Sequence, residues 1–387
     1  MKIIFDNRPV VMITVNSPGE LYYWAMTLIN SIIASKLPIQ IWIFLTPCQF
    51  STGCEQKVIQ ENQSITKVFL PSETKQICWG KKPLSFPRQG LILFLGGDIY
   101  NAVLLKKRSG YPLWVYGSHL RWPKYVDLYL ARFLRDYERY QFPQKKFVGD
   151  LLYSYVVQEK YPAEQENRFF CHGEPRILFL PGSRSFAYDY LIPFYKKIVD
   201  LLLPIFPKTS SVVGFPEHYS TKDVPADNWG ELEIPFYFGV TSHLMNQADV
   251  AIAIPGSSNL ELFYRKKKAL IILPLEANSQ NIPLTGIPEF IGKIPGIGPI
   301  IKKKIIYSIN SQKKWISLPN ILMNREIFPE LRGKVCPEDV ASKVEDIIYN
   351  KSDFDYEIPE DEFPTTADSV LTQLIQENFY GKREKSL

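Results

Sequence analysis

Gln247-Ala-Asp-Val-Ala-Ile-Ala-Ile-Pro-Gly-Ser-Ser-Asn-Leu-Glu261 is the stretch that decides the fold. Asp249–Ile254 is a short apolar run of the length a buried strand takes. Pro255-Gly256-Ser257-Ser258 then turns the chain, and Asn259–Arg265 has helical spacing. A strand feeding a helix through a Gly-Ser turn is the repeating unit of a parallel sheet with helices on both faces.

The same unit recurs to either side. Arg176–Leu180 reads as a strand that opens on Pro181-Gly182-Ser183-Arg184, and Leu191–Leu203 is apolar at helical spacing. Ser211–Phe215 and Ala269–Leu273 are further strands. Upstream, Val10–Val15 reads as a buried strand and Ser17-Pro18-Gly19-Glu20 as a turn. Leu21, Trp24, Ala25, Leu28, Ile29 and Ile32 then share one helical face that runs to about Ala34. Ile39–Leu45, Lys67–Leu70, Leu91–Leu95 and Pro112–Tyr116 continue the alternation, and the weakly patterned stretch 155–175 reads as a linker. The expected architecture is α/β, with a Rossmann-like domain over 1–160 and a second over 161–350. An acidic tail over 351–387, ending in a short helix pattern, is expected to pack back on the first domain.

Composition narrows the function. The net charge of +5, from 45 basic and 40 acidic residues, is too mild for a nucleic-acid partner and fits weak attraction to an anionic membrane or a phosphorylated substrate. The five cysteines are scattered with no CxxC, and the four histidines form no HxxxH, so neither a disulfide framework nor a metal site is expected. The N-terminus, interrupted by Asp6, Asn7 and Arg8, is a poor signal peptide, and no apolar run reaches the roughly 18 residues of a membrane span.

Four constellations carry candidate chemistry. Gly256, Ser257 and Ser258 at a helix start offer small residues and unpaired N–H groups to a pyrophosphate, and Glu261 one turn on offers a carboxylate to ribose hydroxyls. The competing reading is an ordinary βα turn with an exposed Glu. Arg184 follows a strand, where guanidinium suits phosphate, or it is a surface Arg in a turn. Asp98 ends the strand Leu91–Leu95 and is either a general base for an attacking hydroxyl or the cap of the next helix. Leu284–Ile306 is dense in Ile and carries Lys293, Lys302, Lys303 and Lys304, while its prolines forbid one continuous helix. It is either a segment lying on anionic lipid or a packed loop with a solvated lysine cluster.

Taken in order, these motifs resemble lipid-A-disaccharide synthase and its relatives, a GT-B glycosyltransferase family. The matching stretches are Ile177-Leu-Phe-Leu-Pro-Gly-Ser-Arg184, the opening Gln247–Glu261 segment, and Ile316-Ser-Leu-Pro-Asn-Ile-Leu-Met-Asn-Arg-Glu326. Lys146-Phe-Val-Gly-Asp150 is similar to the motif closing the family's first domain. Asn16-Ser-Pro-Gly-Glu20 looks like the "lipid-A-disaccharide synthase-related" branch rather than the true lipid A synthases.

The resemblance implies a GT-B fold, two Rossmann-like domains with parallel sheets facing a cleft, and a UDP-sugar donor on the second domain. It places Arg184, Gly256, Ser257, Glu261, Asn320 and Glu326 at the donor and Asp98 as base; Ser258 completes the pyrophosphate seat, and Glu20 is the alternative base. The expected protein is a cytoplasmic glycosyltransferase, peripheral at the inner face of the cell membrane. It moves a sugar of N-acetylglucosamine type from UDP to a lipid acceptor, with no cofactor and no metal; helix N–H groups and Arg184 take the leaving-group charge. Two rivals stand beside it, a UDP-sugar 2-epimerase of the same fold and a non-catalytic nucleotide-sugar-binding membrane protein.

Overall fold

The computed structural model describes residues 7–17, 19–47, 59, 64–159, 169–170, 173–182, 188–216, 219, 234–274, 314–350, 356–360, 363 and 365–381. The chain divides into two compact units, Met1–Glu159 with Ile358–Leu387, and Lys160–Glu357. Each is a parallel sheet flanked by helices, so the sequence expectation of two Rossmann-like α/β domains holds.

In unit 1 the strands are β1 (Val10–Val15), β2 (Gln40–Leu45), β3 (Lys67–Phe69), β4 (Gly90–Phe94), β5 (Leu113–Gly117), β6 (Leu128–Ala131) and β7 (Lys145–Phe147), ordered β3-β2-β1-β4-β5-β6-β7. Ile13 sits opposite Ile43 on one side and Leu93 on the other, so β1 is central. Its six residues are all buried because both faces are covered. Val11, Ile13 and Val15 enter one core, and Val10 and Met12 enter the other, the period of two that a strand imposes.

The helices of unit 1 are α1 (Met26–Ala34), α2 (Pro71–Cys78), α3 (Ile99–Ser109), α4 (Leu134–Arg139) and α5 (Leu151–Gln158), joined by α11 (Ala367–Tyr380) from the chain's end. α5 occupies part of the stretch read as linker. α11 packs on α1, where Thr372 Oγ1 and Ser31 Oγ are 2.9 Å apart, and the Tyr380 hydroxyl donates to Pro38 O at 3.1 Å.

Unit 2 repeats the plan with β8 (Arg176–Leu180), β9 (Ser210–Phe215), β10 (Phe236–Phe238), β11 (Val250–Ala253), β12 (Ala269–Pro274) and β13 (Glu330–Gly333), ordered β10-β9-β8-β11-β12-β13. Its helices are α6 (Tyr188–Leu202), α7 (Thr241–Gln247), α8 (Ser257–Tyr264), α9 (Leu318–Met323) and α10 (Pro337–Tyr349). α6 and α10 pack together over the core that Ile177, Phe179, Val213 and Ile252 build. In both sheets the chain winds outward from one strand, returns, and winds the other way. The switch points are β1/β4 and β8/β11, where α/β proteins collect ligands beyond the strand ends.

Candidate functional site

At the β1/β4 switch point, β1 leads into a π-helical turn, Glu20–Ala25, before α1. Such widened turns cluster at functional sites. Ser17 and Glu20 start it reciprocally: Glu20 N donates to Ser17 Oγ at 3.2 Å. Glu20 Oε2 accepts long bonds from Ser17 N and Asn16 N at 3.4 and 3.5 Å.

The Glu20 carboxylate lies on the backbone of Gly96, in the loop after β4; a Cβ at Gly96 would be 1.9 Å from Oε2. Gly97 adopts a φ of +94°, and a Cβ there would be 2.3 Å from Thr46 Oγ1. A side chain at Gly96 would displace the Glu20 carboxylate and one at Gly97 the Thr46 hydroxyl, and Gly97 is also favoured by its conformation. Burial pushes the Glu20 carboxyl above its ordinary value, and the Ser17 and Asn16 N–H groups and Arg132 pull it back only in part.

Asp98, next along the same loop, is exposed and caps α3, accepting from Tyr100 N at 3.0 Å. Asp98→Ala is expected to cost about 1 kcal/mol of stability, whereas Asp98→Asn keeps a good cap. Any drop in turnover of Asp98→Asn therefore measures the carboxylate's chemistry alone, and thermal melts of both variants separate the two effects.

The ends of β5, β6 and β7 add a second cluster. Arg132 donates to Asp150 from Nε and Nη2, both at 2.8 Å, and its guanidinium sits 4.9 Å from the Trp24 ring and 4.8 Å from Phe133. Asp150 also caps α5 through Leu152 N, and Leu151 N donates to the Tyr116 hydroxyl at 2.9 Å. Asp136 on α4 is buried, with its Oδ2 lacking a hydrogen-bond partner among the described residues. Burial raises its carboxyl pKa against the opposing pull of Ser118, Arg135, His119 and Arg132.

At the β8/β11 switch point the two loops meet, since a Cβ on Gly182 would be 2.8 Å from Ile254 Cδ1. Asn259, fully buried, closes the second loop by donating to Ile254 O at 3.0 Å and accepting from Gly256 N at 3.1 Å. Among the described residues the space over Gly256 is open: a Cβ there would meet nothing nearer than Ser258 Oγ at 4.0 Å. Gly256 and Ser257 are exposed at the start of α8 and Ser258 is partly so, which leaves N–H groups of the first turn to a ligand.

Glu261 is not the exposed residue of the plain-turn reading. It is buried, and its Oε1 accepts from Ser242 Oγ at 2.7 Å and from Arg265 Nη2 at 2.7 Å. Arg265 is equally buried.

Asn320 is fully buried and its amide is engaged within the chain. Nδ2 donates to Phe328 O at 2.7 Å and to Glu330 Oε1 at 2.8 Å, while Oδ1 accepts from Ile327 N and Phe328 N. It thereby ties down the loop that carries Glu326, which is exposed. The pair Arg132–Asp150 and the carboxylate Asp136 were not singled out from the sequence as site residues. The only sequence signal for Arg132 is its place directly after the short apolar run Leu128–Ala131.

Ser183 and Arg184, and Lys293, Lys302, Lys303 and Lys304 with the rest of Leu284–Ile306, lie outside the described residues. The same is true of Asp353-Phe354-Asp355, an Asp-x-Asp triplet in the acidic tail. No described helix is long and apolar enough to cross a membrane.

No family model matches the sequence. A lipid-A-disaccharide synthase of Chromobacterium violaceum is 24% identical over 178 residues, which is 45% of this chain and 40% of the relative. The chain thus spans less than half the length of that curated relative. Among solved structures, one from Listeria monocytogenes designated a UDP-N-acetylglucosamine 2-epimerase superposes with a TM-score of 0.57 at 12% identity, over 97% of this chain and 98% of that one. The UDP-GlcNAc 2-epimerase of Methanocaldococcus jannaschii gives 0.55 at 9% identity, over 95% and 99%. MurG of Acinetobacter baumannii gives 0.51 at 12% identity, over 96% and 99%. These likenesses establish the fold, which is of the GT-B type.

Proposed function

We propose that this chain is a nucleotide-sugar-dependent glycosyltransferase that moves a sugar of N-acetylglucosamine type from UDP to a membrane-associated lipid acceptor. The observation that carries the donor half is the open seat at Gly256-Ser257-Ser258, on the switch point of the second sheet and inside the stretch that resembles lipid-A-disaccharide synthase. MurG and the epimerases named above share the fold, and UDP-GlcNAc appears in an epimerase's own description.

Unit 2 is assigned the donor. The N–H groups of the first turn of α8, with Arg184, take the diphosphate charge, and the Glu261 carboxylate takes the ribose through Oε2. Unit 1 is assigned the acceptor. Glu20 removes the acceptor hydroxyl proton as that oxygen bonds to the anomeric carbon, the bond from that carbon to the diphosphate oxygen breaks, and UDP leaves. Glu20 is preferred over Asp98 because its raised pKa makes it the stronger base at neutral pH and Asp98 is already spent on a helix cap. The lysines of Leu284–Ile306 are assigned to anionic lipid.

The test measures UDP release from UDP-N-acetylglucosamine with and without a lipid extract. Release that depends on the extract supports the transferase. The likeness to epimerase structures keeps one rival: an epimerase would yield a C2-epimerised sugar whether or not the extract is present, and that product overturns this reading.

Glu261 gives a sharper check on the donor half. Glu261→Ala would take the carboxylate from the buried Arg265 guanidinium, which costs about 3–5 kcal/mol and confounds any binding assay. Glu261→Gln keeps the size and an oxygen to which Ser242 and Arg265 can donate, and loses the charge. It is expected to weaken UDP by about 10-fold or more, the scale of a charge-assisted hydrogen bond of about 1.5–3 kcal/mol. Unchanged UDP affinity by calorimetry removes Glu261 from the site.

A further inference from the structure

Two exposed tryptophans and two half-buried tyrosines of unit 1 form one connected ladder. Trp79 is 58% exposed and Trp122 is 45% exposed. Trp79 lies edge-on to Tyr100 at 6.3 Å, Tyr100 edge-on to Trp122 at 5.9 Å, and Trp122 tilts onto Tyr125 at 6.1 Å. The ladder follows α3, with Tyr100 in its first turn and Lys107 two turns on. Lys107 Nζ is 5.6 Å from the Tyr125 ring centre, and Lys124 Nζ covers the same ring at 4.9 Å. At the other end Arg108 lies against Gly80, next to Trp79. Trp122 holds a left-handed φ of 51°, a strained conformation for a bulky side chain. It lines an open pocket of about 430 Å³ with Pro123, Lys124 and Tyr125.

The segments that carry the ladder are basic. Residues 71–82, 98–108 and 121–127 hold eight Lys and Arg against three carboxylates, an excess equal to the +5 of the whole chain. The remaining sequence is therefore neutral on balance. Two of the three carboxylates are neutralised within the surface, Glu73 by Lys82 and Asp127 by Lys106, both at 2.5 Å.

Trp and Tyr gather where water meets lipid, because the ring is apolar and its N–H or O–H stays wet. Lysines beside them add attraction to anionic headgroups. Soluble surfaces seldom expose such a contiguous set without a partner. We propose that this face of unit 1 docks on an anionic lipid surface. It would set the β4 loop at that surface, since Asp98 caps the same turn of α3 that presents Tyr100. The inference deepens the lipid-acceptor reading and rests on it for its purpose, but vesicle binding needs neither donor nor turnover, so the two can fail separately.

Flotation of the full chain with phosphatidylcholine vesicles, with and without phosphatidylglycerol, tests it. Binding is expected only with the anionic lipid and should fade as salt rises. Lys107→Glu with Lys124→Glu should weaken partitioning by at least about 25-fold, about fivefold for each lysine lost. Trp79→Phe with Trp122→Phe should remove the quenching of tryptophan fluorescence by brominated lipid. If both double variants bind and quench as the parent does, or binding is lost only when Lys302, Lys303 and Lys304 are changed to Glu, the docking face is not here. Displacement of the vesicles by single-stranded RNA at low concentration would equally overturn a lipid partner.

Discussion

Glu20→Gln is expected to lower turnover by about 10²–10⁴-fold, the range lost with a general base, and to leave UDP affinity unchanged. The substitution keeps the shape of the side chain and its bonds to Ser17 and Asn16. It removes only the ability to take a proton. A second measurement ties the effect to the buried carboxylate. Burial holds the folded-state pKa of Glu20 above its ordinary value of 4.5, so the folded protein binds this proton more tightly than the unfolded chain does. The associated stability is fully present below about pH 4.5 and is lost as pH rises through the folded value. Glu20→Gln escapes that loss, so it should be more stable than the parent at neutral pH, with the difference closing as pH falls through the raised folded value and gone below about 4.5. A variant that is both dead and more stable is the signature of a residue kept for chemistry at the expense of the fold. Full activity in Glu20→Gln would return the role of base to Asp98, or to neither.

The parts of the fold that were legible in the sequence are those buried on both faces. β1, β2, β8 and β11 show every residue buried or nearly so, and their runs of Val, Ile and Leu announce a parallel sheet. Of the edge strands only β3 was legible, as Lys67–Leu70. β7 is Lys-Lys-Phe and β13 is Glu-Leu-Arg-Gly; polar residues suit an edge and erase the apolar run that sequence reading depends on. β10 is Phe-Tyr-Phe, three half-buried residues too short to carry a period. Missing β6 also cost the reading of Arg132, because a residue gains meaning as a strand end only once the strand is known.

The turns behaved differently from the strands. Gly256-Ser257-Ser258 could be placed from sequence because a strand and a helix bracket it within a few residues. The burial of Glu261 could not, because Arg265 and Ser242 reach it from the next turn and from another helix. Nor could the contact of Glu20 with Gly96, which joins two loops 76 positions apart through the pairing of β1 with β4. Periodicity sees neighbours along the chain, and these side chains are set by neighbours across the sheet.

That contact gives the second large expectation, Gly96→Ala. Gly96 has no left-handed φ, so alanine meets no backbone penalty there. The obstacle is the Glu20 carboxylate, 1.9 Å from the new methyl group, well inside van der Waals contact. Flanking β4 is held between β1 and β5 and cannot give way, so the flexible Glu20 side chain moves. Displacing a base by about 1 Å costs on the order of 10²-fold in rate. Gly96→Ala should therefore lose nearly as much turnover as Glu20→Gln, with circular dichroism unchanged. The double variant decides between displacement and general damage. If Gly96 acts only by seating Glu20, adding Gly96→Ala to Glu20→Gln should cost little further turnover, a coupling of neighbours rather than a sum. Additive losses would mean that Gly96 contacts the acceptor itself, and that Glu20 and Gly96 serve the reaction independently.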